Sequence, residues 1–327
     1  MTNNIRWGIL GTGVIARKFA LGLKAAPGAE LVAVGSRIEA TADQFGAAFA
    51  VPHRHASYEA LAHDPEVDVI YISTPHSLHK DNTLLCLEAG KAVLCEKPFA
   101  INAAETEAMI KLARQKKLFL MEAMWTRFLP AVLKVRQLIA EDAIGEVRML
   151  MADLGFRAEF DPKSRLFNPA LGGGALLDVG IYPVSFASML LGTPVKVTSL
   201  AHLGQTGVDE QSAMLLSYAG GQLAVLAAAI RTDIPSEAII MGTKGRIRVH
   251  APIYCPVRLT LSRPEQGDEI IDAPFEGNGY NYQALEVMNC LRNGWLESAT
   301  MPLDETLSIM RTMDEIRAPW GLKYPME

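Results

Sequence analysis

The sequence is short of cysteine and of concentrated positive charge, and both shortages exclude classes of protein. Four cysteines in 327 residues are too few and too scattered for a disulfide framework or for the paired ligand spacing of a zinc site, so we expect reduced, buried thiols. The formal net charge is -5, and no basic run alternates with aromatic residues. A nucleic-acid partner, which needs a concentrated basic surface, is therefore not expected.

Signals for secretion and for a membrane span are also lacking. Residues 1–7 show none of the charged, apolar and small-residue zones of a signal peptide, so a cytoplasmic location is expected. The stretch 211–230 contains no charged residue and is long enough to cross a bilayer. Its Gly220-Gly221 pair lies between two alternating runs, however, which predicts two short strands joined by a hairpin. No membrane contact is expected.

The length of the chain predicts two domains, and its halves have different patterns. Up to residue 123, short apolar runs alternate with helical patterns, which predicts an α/β fold, a Rossmann dinucleotide-binding domain with a parallel sheet. Residues 124–327 begin with a helix and continue with successive strands and short turns, which predicts a substrate-binding α+β domain with a largely antiparallel open sheet. We find no flexible linker and expect a cleft between the domains.

A glycine-rich turn opens the first domain. The apolar run Ile5–Leu10 is followed by Gly11-Thr12-Gly13-Val14-Ile15-Ala16 and then by a helical pattern. This order matches the G-x-G-x-x-G/A dinucleotide fingerprint, in which Gly11 makes the turn, Gly13 lets the backbone approach a pyrophosphate and Ala16 permits close packing of the helix on the strand. We therefore predict that residues 11–15 bind a dinucleotide at the N-terminus of the first helix.

The end of the second predicted strand bears on the choice between NAD and NADP. A NAD-binding domain usually carries Asp or Glu there to hold the ribose 2′-hydroxyl, whereas this chain has Ser36-Arg37. A guanidinium suits a 2′-phosphate and can stack on adenine, so NADP is the predicted cofactor and NAD remains an alternative. The other interpretation of Arg37 is a solvated loop residue.

Two later loops fall at the carboxyl ends of predicted strands, where ligands bind to doubly wound sheets. They are Ser73-Thr74-Pro75-His76, with His79 following, and Glu96-Lys97-Pro98, and we predict cofactor contacts from both. Pro98 fixes its own φ and restricts Lys97 to extended conformations. His76 and His79 have no carboxylate or cysteine at metal-ligand spacing, so a structural role or a ribose contact is predicted and no metal is expected.

A second glycine-rich stretch, 172–182, reads Gly-Gly-Gly-Ala-Leu-Leu-Asp-Val-Gly-Ile-Tyr. The pattern predicts a helix that three glycines open, with Asp178 and Tyr182 four residues apart and hence on one face. A carboxylate and a phenol beside a turn that a ligand can approach are suited to proton transfer. Taken alone, such a pair is more often a surface pair or a packed tyrosine, and both interpretations stay open.

Lys97 makes the catalytic interpretation chemically coherent. Oxidation of a secondary alcohol sends a hydride to the nicotinamide and removes a proton from oxygen, and the protein handles the proton. A free phenol, with a pKa of roughly 10, is a poor base at neutral pH, but a neighbouring ammonium such as Lys97 would favour the phenolate of Tyr182 and stabilise charge on the substrate oxygen. Asp178 could accept a hydrogen bond from a second hydroxyl. The sequence leaves open whether Lys97 or Tyr182 carries the proton.

Together these motifs resemble one family. The stretch 11–16, Glu96-Lys97-Pro98 and the stretch 172–182 resemble, in order and approximate spacing, the glucose-fructose oxidoreductase/inositol dehydrogenase/MocA family, and the resemblance covers essentially the whole chain. Many relatives have histidine where this chain has Tyr182. That tyrosine and residues 121–128, Met-Glu-Ala-Met-Trp-Thr-Arg-Phe, look most like the branch of dimeric dihydrodiol dehydrogenase and NADP-dependent D-xylose dehydrogenase.

The resemblance implies roles for individual residues and for the second sheet. It makes Lys97 the catalytic lysine, Asp178 the substrate-orienting aspartate and Tyr182 the tyrosine that exchanges the hydroxyl proton. It also implies that the second sheet forms a subunit interface, and hence a homodimer or a dimer of dimers. Substrate contacts are predicted for Arg127 and for three aromatic residues that suit the C–H side of a sugar ring or an arene diol, with plain packing as the alternative for the aromatics. The aromatic candidates are Trp125, Phe156 and Tyr280.

The predicted function is that of an NADP-dependent oxidoreductase. It would transfer hydride between nicotinamide and a secondary alcohol or carbonyl of a sugar, polyol or trans-dihydrodiol. The alternative is a catalytically silent nucleotide- or sugar-sensing regulator of the same fold, which would not need Lys97, Asp178 and Tyr182. Reduction of an imine or a tetrapyrrole is a third hypothesis, which does not require that group of residues. Specificity depends on pocket loops such as 156–167, so the sequence does not name the substrate.

Overall fold

The computed structural model describes residues 4–264 and 266–327. Its first half alternates strands and helices, and its second half consists mainly of successive strands, as the sequence pattern predicts. The strands are β1 Ile5–Leu10, β2 Ala29–Gly35, β3 His53–His55, β4 Val69–Ile72, β5 Ala92–Glu96, β6 Leu120–Ala123, β7 Val147–Gly155, β8 Lys196–Leu203, β9 Asp209–Ser217, β10 Leu223–Ala229, β11 Ala238–Gly242, β12 Arg246–Val249, β13 Arg258–Arg263 and β14 Gly267–Asp272. The α-helices are α1 Val14–Leu23, α2 Glu39–Phe49, α3 Tyr58–Ala62, α4 His79–Glu88, α5 Ala103–Lys116, α6 Pro130–Ala140, α7 Ile181–Leu191, α8 Tyr280–Arg292 and α9 Leu303–Arg317. The start of the first predicted domain, residues 1–3, lies outside the described residues.

The chain forms two compact units. The first comprises Met1–Trp125 and Glu276–Leu307, and the second comprises Thr126–Phe275 and Ser308–Glu327. The sequence prediction divided the chain once, after residue 123, and so placed 276–307 in the second domain. In the structure α8 packs against α1, where Gly22 makes room for Tyr280 because a Cβ on Gly22 would lie 2.7 Å from Tyr280 Cβ. Helical periodicity shows that a helix has an apolar face but not which element covers that face.

A parallel sheet of order β3-β2-β1-β4-β5-β6 forms the centre of the first unit. This is the strand order of a Rossmann domain, so the predicted fold is confirmed. Every residue of β4 and β5 is buried, because helices cover both faces of such a sheet. The carboxyl ends of β1, β4 and β5 lie next to one another in this order, which places the loops after them at one edge.

The second unit is built on a sheet of order β14-β13-β12-β11-β7-β10-β9-β8. All neighbouring pairs are antiparallel except β7 with β10, which confirms the predicted, largely antiparallel sheet. Both predicted hairpins are present, at 220–221 between β9 and β10 and at 242–245 between β11 and β12. Alternate residues of β7 and β10 are buried on the face that packs on the helical segment containing α7.

That helical segment, Pro169–Leu191, is long and apolar enough to cross a membrane by length and composition alone. Because 72% of its most apolar window is buried inside the protein, it has the character of a core helix. The segment is not a uniform α-helix. A π-helical turn, Leu176–Gly180, precedes α7, and such turns are frequent at functional sites.

Three elements are absent from the sequence prediction: β3, α3 and β14. β3 is the edge strand His-Arg-His, and β14 is exposed along nearly its whole length, so neither shows the apolar alternation that marks a half-buried strand. The short helix α3 depends on its cap, because Ser57 Oγ accepts the Ala60 N–H at 3.0 Å. The cysteines are free as predicted, and three of the four are buried while Cys255 is half-buried.

Candidate active site

The predicted glycine turn follows β1, and steric constraints exclude a side chain at its first residue, Gly11. Gly11 has a φ of +105°, and a Cβ at this position would lie 2.8 Å from Ser73 Oγ. Ser73 cannot move away easily, because its hydroxyl donates to the carbonyl oxygen of Leu10 at 2.9 Å. The turn after β1 and the loop after β4 are therefore held together at the carboxyl edge of the sheet, and only glycine fits at position 11.

The N-terminus of α1 has the features of an anion site. Gly13 is the N-cap residue and makes no side-chain cap, and the first turn carries no acidic residue. A Cβ on Gly13 would meet nothing within 4 Å, so open space lies where a ligand must approach the backbone. Val14 is 74% exposed, while Thr12 and Ile15 are half-buried. Uncapped N–H groups, positive helix dipole and open space fit the pyrophosphate of a dinucleotide.

The two residues after β2 have different environments, because Ser36 is buried in a turn and Arg37 lies on the surface. Ser36 is buried, and its Oγ lies 2.6 Å from Thr41 Oγ1 and accepts the Ile38 N–H at 3.3 Å. Arg37 is exposed, with its guanidinium carbon 5.9 Å from the ring centroid of Tyr58. Ser36 therefore shapes the turn, and Arg37 presents a cation at the carboxyl end of β2.

The loop after β4 is fixed by His79. His76 begins a 3-10 turn that leads into α4, whereas His79 is fully buried. Its Nδ1 lies 2.8 Å from the carbonyl oxygen of Pro98 and its Nε2 lies 2.9 Å from that of Thr74. Burial lowers the pKa of His79, so the neutral ring donates to one of the two carbonyls at a time. Of the two roles that the sequence left open for His79, this placement favours the structural one.

Glu96, predicted to contact the cofactor, is buried at the end of β5. Its carboxylate accepts a hydrogen bond from the Tyr71 hydroxyl and accepts the Lys97 N–H at 3.2 Å. The Lys97–Pro98 peptide bond is cis. Lys97 is half-buried and directly follows β5, so its backbone is anchored at the carboxyl edge of the sheet. Pro75 is half-buried and Thr74 buried in the neighbouring loop.

Asp178 and Tyr182 lie on the helical segment of the second unit, and both are buried. The predicted α-helical spacing between them is wrong, because Asp178 lies within the π-helical turn and α7 begins at Ile181. Arg165 Nη1 donates to Asp178 Oδ1 at 2.6 Å, and Nη2 lies 3.4 Å from Oδ2. The Tyr182 ring lies 5.8 Å from the ring of Tyr254. Arg165, 56% exposed at its side chain, thus orients the predicted substrate-orienting carboxylate.

A buried aspartate from a distant strand holds the beginning of this helical segment. Asp209, the first residue of β9, accepts the Leu176 N–H through Oδ2 at 2.7 Å. Gly174 has a φ of +121°, and a Cβ there would collide with Asp209 Oδ1. The Tyr324 hydroxyl donates to the Gly173 carbonyl oxygen at 2.8 Å. Gly174 therefore admits the Asp209 carboxylate and the Tyr324 hydroxyl against the backbone, in addition to any role of the glycines in ligand approach.

The environment of Asp209 changes its acidity. Its side chain is fully buried, and burial raises the pKa of Asp209 to about 7, against the lowering effects of the Leu176 N–H and of the Arg317 charge. The sequence signal was weak: an acidic residue opens a strand whose next charged position, Glu210, is adjacent. Only the tertiary contact with residue 176 shows what the carboxylate does.

Three of the four residues predicted to contact the substrate are buried, and the fourth is exposed. Arg127 is buried, with Nε donating to Ser185 Oγ at 3.1 Å and Nη2 donating to the Ser185 carbonyl oxygen at 2.8 Å, which fastens the turn before α6 to α7. Trp125 and Tyr280 are buried and stack with a centroid distance of 4.3 Å. Phe156, at the end of β7, is exposed. The packing alternative is therefore favoured for Trp125 and Tyr280, and a structural role for Arg127.

The three residues predicted to handle the proton are distributed over the two units. Lys97 belongs to the first unit, and Asp178 and Tyr182 belong to the second. The first unit carries, at one edge of its sheet, a helix N-terminus with the features of an anion site and the residue Lys97 anchored after β5. The second carries an oriented carboxylate and a buried phenol on one helical segment.

Comparison with known proteins gives full-length matches. Residues 5–124 match the family model described as an oxidoreductase family with an NAD-binding Rossmann fold, and residues 132–248 match the GFO/IDH/MocA C-terminal domain. The trans-1,2-dihydrobenzene-1,2-diol dehydrogenase of Mus musculus is 38% identical, over 99% of this chain and 99% of the mouse protein.

Solved structures agree with the sequence comparison. The aldose-aldose oxidoreductase of Caulobacter crescentus, complexed with glycerol, superposes with a TM-score of 0.88 at 27% identity and covers 97% of both chains. A 3-ketoreductase of Actinomadura kijaniata, in complex with NADP and TDP-benzene, gives a TM-score of 0.87 at 26% identity, over 97% of this chain and 98% of that chain.

Proposed function

The chain is an oxidoreductase of the Gfo/Idh/MocA family with an NAD-binding Rossmann domain, and we propose that it oxidises trans-dihydrodiols, or reduces the corresponding ketones, with NADP. The observation that carries this proposal is the full-length similarity to a trans-dihydrodiol dehydrogenase in a chain that has Lys97, Asp178 and Tyr182. Sugars and polyols are the second candidate substrates, because one structural relative is an aldose-aldose oxidoreductase.

The proposal of NADP over NAD depends on the end of β2. The position that usually carries an acidic residue in NAD-binding domains is occupied by Ser36-Arg37. Arg37 is exposed, and a guanidinium can form bidentate, charge-assisted hydrogen bonds with a phosphate. A structural relative also contains NADP. When bound, the nicotinamide would exchange a hydride with the substrate carbon, and the N–H groups at the start of α1 would hold the pyrophosphate.

Three side chains are assigned to the substrate. The phenolate form of Tyr182, favoured by the Lys97 ammonium group, accepts the proton from the reacting hydroxyl through Oη as the alcohol becomes a ketone, and the phenol returns it in the reverse reaction. The Lys97 ammonium group stabilises negative charge on the same oxygen. Asp178, held by Arg165, accepts a hydrogen bond from the second hydroxyl of the diol and fixes its orientation. A diol offers one hydroxyl to the proton-transfer group and one to the carboxylate, which matches this donor and acceptor set.

The test is the absorbance of reduced nicotinamide while the full chain meets trans-dihydrodiols, aldoses and inositols with NADP or NAD. We expect turnover with dihydrodiols and NADP. Turnover confined to aldoses would replace the first substrate class by the second, and a preference for NAD would overturn the assignment of Arg37. Cofactor binding without turnover on any substrate would favour the silent regulator of the same fold.

Variants test the assignment of the side chains. We expect Tyr182→Phe and Lys97→Ala each to lower kcat by about 10²-fold or more while cofactor binding, followed by fluorescence, is retained. Tyr218→Phe is the matched control, because the buried Tyr218 hydroxyl has no hydrogen-bond partner among the described residues. Full activity in Tyr182→Phe would remove Tyr182 from the mechanism.

A further variant separates the two possible proton carriers. Lys97→Arg keeps the positive charge, but a guanidinium does not give up its proton in proteins. If Tyr182 carries the proton, Lys97→Arg retains turnover within about tenfold and keeps the pH profile of the wild type. Loss of turnover as large as in Lys97→Ala would assign the proton to Lys97.

We also propose that the open face of the second sheet pairs with a second copy of the chain. One row of paired residues on this face contains the neighbouring apolar side chains Leu215, Val225, Met151 and Ile239. Leu215 and Met151 are 45% and 46% exposed. A contiguous apolar row on a sheet is typical of an interface between subunits.

Sedimentation of a charged variant tests this assembly. We expect the wild type to sediment as a dimer or a dimer of dimers, and Met151→Glu to sediment as a monomer, because a carboxylate would be buried without a partner. Leu133→Glu is the control, since Leu133 has the same exposure, 45%, on α6 of the same unit. Unchanged sedimentation of Met151→Glu, or a monomeric wild type, would overturn the proposed interface.

A further inference from the structure

Two histidines and an aspartate of the first unit meet at one carboxylate oxygen. His53 and His55 are the first and last residues of β3, so both side chains leave the same face of this edge strand. Asp64 follows α3, and its Oδ2 lies 2.6 Å from His53 Nδ1 and 2.9 Å from His55 Nε2. One potential ligand atom of each side chain lies within 4.8 Å of the other two.

We propose that His53, His55 and Asp64 bind one divalent transition-metal ion such as Zn²⁺, with water completing the coordination. Imidazole and carboxylate are the ligands that this class of ion takes, and three protein ligands leave a position for water. The expectation that the chain binds no metal considered the four cysteines, His76 and His79. It could not include this cluster, because β3 was not predicted and Asp64 is brought to it by the fold.

The geometry needs little adjustment to accept the ion. Bonds of about 2.0–2.1 Å to a tetrahedral ion place its ligand atoms about 3.3 Å apart. The contacts of 2.6 and 2.9 Å that His53 and His55 make with Asp64 Oδ2 would therefore lengthen by about 0.4–0.7 Å, which follows from the same bond lengths. Side-chain rotation of the histidines alone can supply a movement of this size.

The Asp64 carboxylate is already oriented by the backbone. Asp64 Oδ1 accepts the Glu66 N–H at 2.9 Å, and only 3% of the Asp64 side chain is exposed. A hydrogen bond of this kind, here from the Glu66 N–H, orients a metal ligand, and the loss of such a bond commonly weakens metal binding.

The imidazoles can change from hydrogen-bond donors to metal ligands by a change of tautomer. In one tautomer each ring presents an N–H to the carboxylate. When an ion enters, the proton resides on the other ring nitrogen, at His53 Nε2 and His55 Nδ1, and the freed lone pair binds the ion. The ion has a route from solvent, because the side chains of His53 and His55 are 39% and 23% exposed.

The positive charge of Lys91 lies near the cluster and opposes the ion. Lys91 Nζ donates to the carbonyl oxygens of Asp64 and Val67 at 2.6 and 2.8 Å, so it points at the backbone and not at the Asp64 carboxylate. We therefore expect Lys91→Met to strengthen metal binding, with the same ligands in place.

A bound ion would fasten the edge strand to the loop after α3. β3 pairs with β2, with Ala33 opposite His53 and Gly35 opposite His55, and the Ser36 N–H donates to the His55 carbonyl oxygen at 3.0 Å. The ion would thus stabilise the end of β2 from which Ser36-Arg37 continues. Since binding favours the folded state, the midpoint of thermal unfolding should rise with metal concentration.

The test is titration of the untagged, chelator-treated full chain with Co²⁺. We expect one Co²⁺ ion to bind per chain, with the visible d–d absorption that is typical of Co²⁺ at a low coordination number. We also expect Zn²⁺ to displace the bound Co²⁺. His53→Ala should weaken binding at least tenfold and abolish the Zn²⁺-dependent rise in melting temperature. His63→Ala is the matched control, because His63 is an exposed histidine next to Asp64 whose Nδ1 contacts the Glu59 carbonyl oxygen.

Each outcome of the titration decides the proposal. Equal binding by the wild type and by His53→Ala, or equal losses in His53→Ala and His63→Ala, would overturn it and leave the cluster as a hydrogen-bonded clamp of β3. Asp64→Asn serves as a second variant, but His53→Ala remains decisive if the buried substitution prevents folding. Turnover is not used as a readout, so failure of the metal site would leave the proposed oxidoreductase function untouched.

Discussion

Replacement of Asp209 by asparagine should change how the stability of the protein depends on pH. Asn keeps an oxygen that can accept the Leu176 N–H, a bond that Asp209 Oδ2 makes at 2.7 Å, but it cannot ionise. Asp209 Oδ1 has no hydrogen-bond partner within the part of the chain that the structure describes. An ionised carboxylate is therefore poorly compensated here, and burial raises the pKa to about 7.

The sign of the effect follows from proton binding. Between the pKa of 3.8 that applies to the unfolded chain and the folded value of about 7, the folded protein holds a proton that the unfolded chain has lost. The stabilising contribution of protonated Asp209 is complete below about pH 4 and is lost as the pH rises to about 7. The interval is about 3 pH units at about 1.4 kcal/mol each, so the free energy of unfolding falls by about 4 kcal/mol from this group alone.

The assay is denaturant unfolding, followed by circular dichroism at pH values from 4 to 8, of the wild type and Asp209→Asn. We expect the difference in unfolding free energy between the two proteins to shift in favour of the variant by about 4 kcal/mol over this range. Asp268→Asn, at an exposed position of β14, controls for the loss of one negative charge. A difference that stays constant from pH 4 to pH 8 would refute the argument that Asp209 is ionised at a cost in the folded state.

Three further substitutions test other parts of the structure. Arg37→Ala should raise KM for NADP at least about tenfold and leave KM for NAD unchanged, because the guanidinium is assigned to the 2′-phosphate, a group that NAD does not have; equal effects on both cofactors in steady-state kinetics would contradict this. Arg165→Met should raise KM for the diol about tenfold without changing cofactor binding, since Asp178 loses its guanidinium partner; an unchanged KM would remove Arg165 from the site. Gly174→Ala should destabilise the protein by about 3 kcal/mol, because its φ is +121° and a Cβ collides with Asp209; an unchanged melting temperature would show that the turn can relax.

Local sequence patterns sufficed for much of the fold. The apolar runs of β1, β4 and β5 and the turn Gly11-Thr12-Gly13 are local signals, because a buried strand and a positive φ restrict residue type at the position itself. The pair Gly220-Gly221 is of the same kind. Short exposed elements such as β3 and β14 carry no such restriction, because their neighbours in the sheet determine that they are strands.

The site was less accessible to sequence reasoning because burial and long-range contacts determine it. Arg127 and His79 have side chains typical of binding sites, yet the structure buries both and bonds them to protein groups. Arg165 and Asp209 lie 13 and 33 residues from the groups they contact, and periodicity does not register contacts at such separations. The proposed metal cluster depends on the same kind of contact, between an edge strand and a later loop.

The parallel pairing of β7 with β10 has a consequence for how the protein could be re-engineered. Because the two strands are parallel, the chain that connects them must return to the end of the sheet at which β7 begins. Two backbone hydrogen bonds hold the first part of this connection. The Ala158 N–H donates to the Ile230 carbonyl oxygen just after β7, and the Gly174 N–H donates to the Leu166 carbonyl oxygen at the glycine stretch. Residues 159–164 lie between these fixed points and are largely exposed. Loops anchored at both ends tolerate changes in length at little thermodynamic cost. We therefore expect that segments of other lengths can be grafted at 161–163, where every residue is exposed, while Phe160 keeps its contact with Phe167 and the register of the sheet is unchanged.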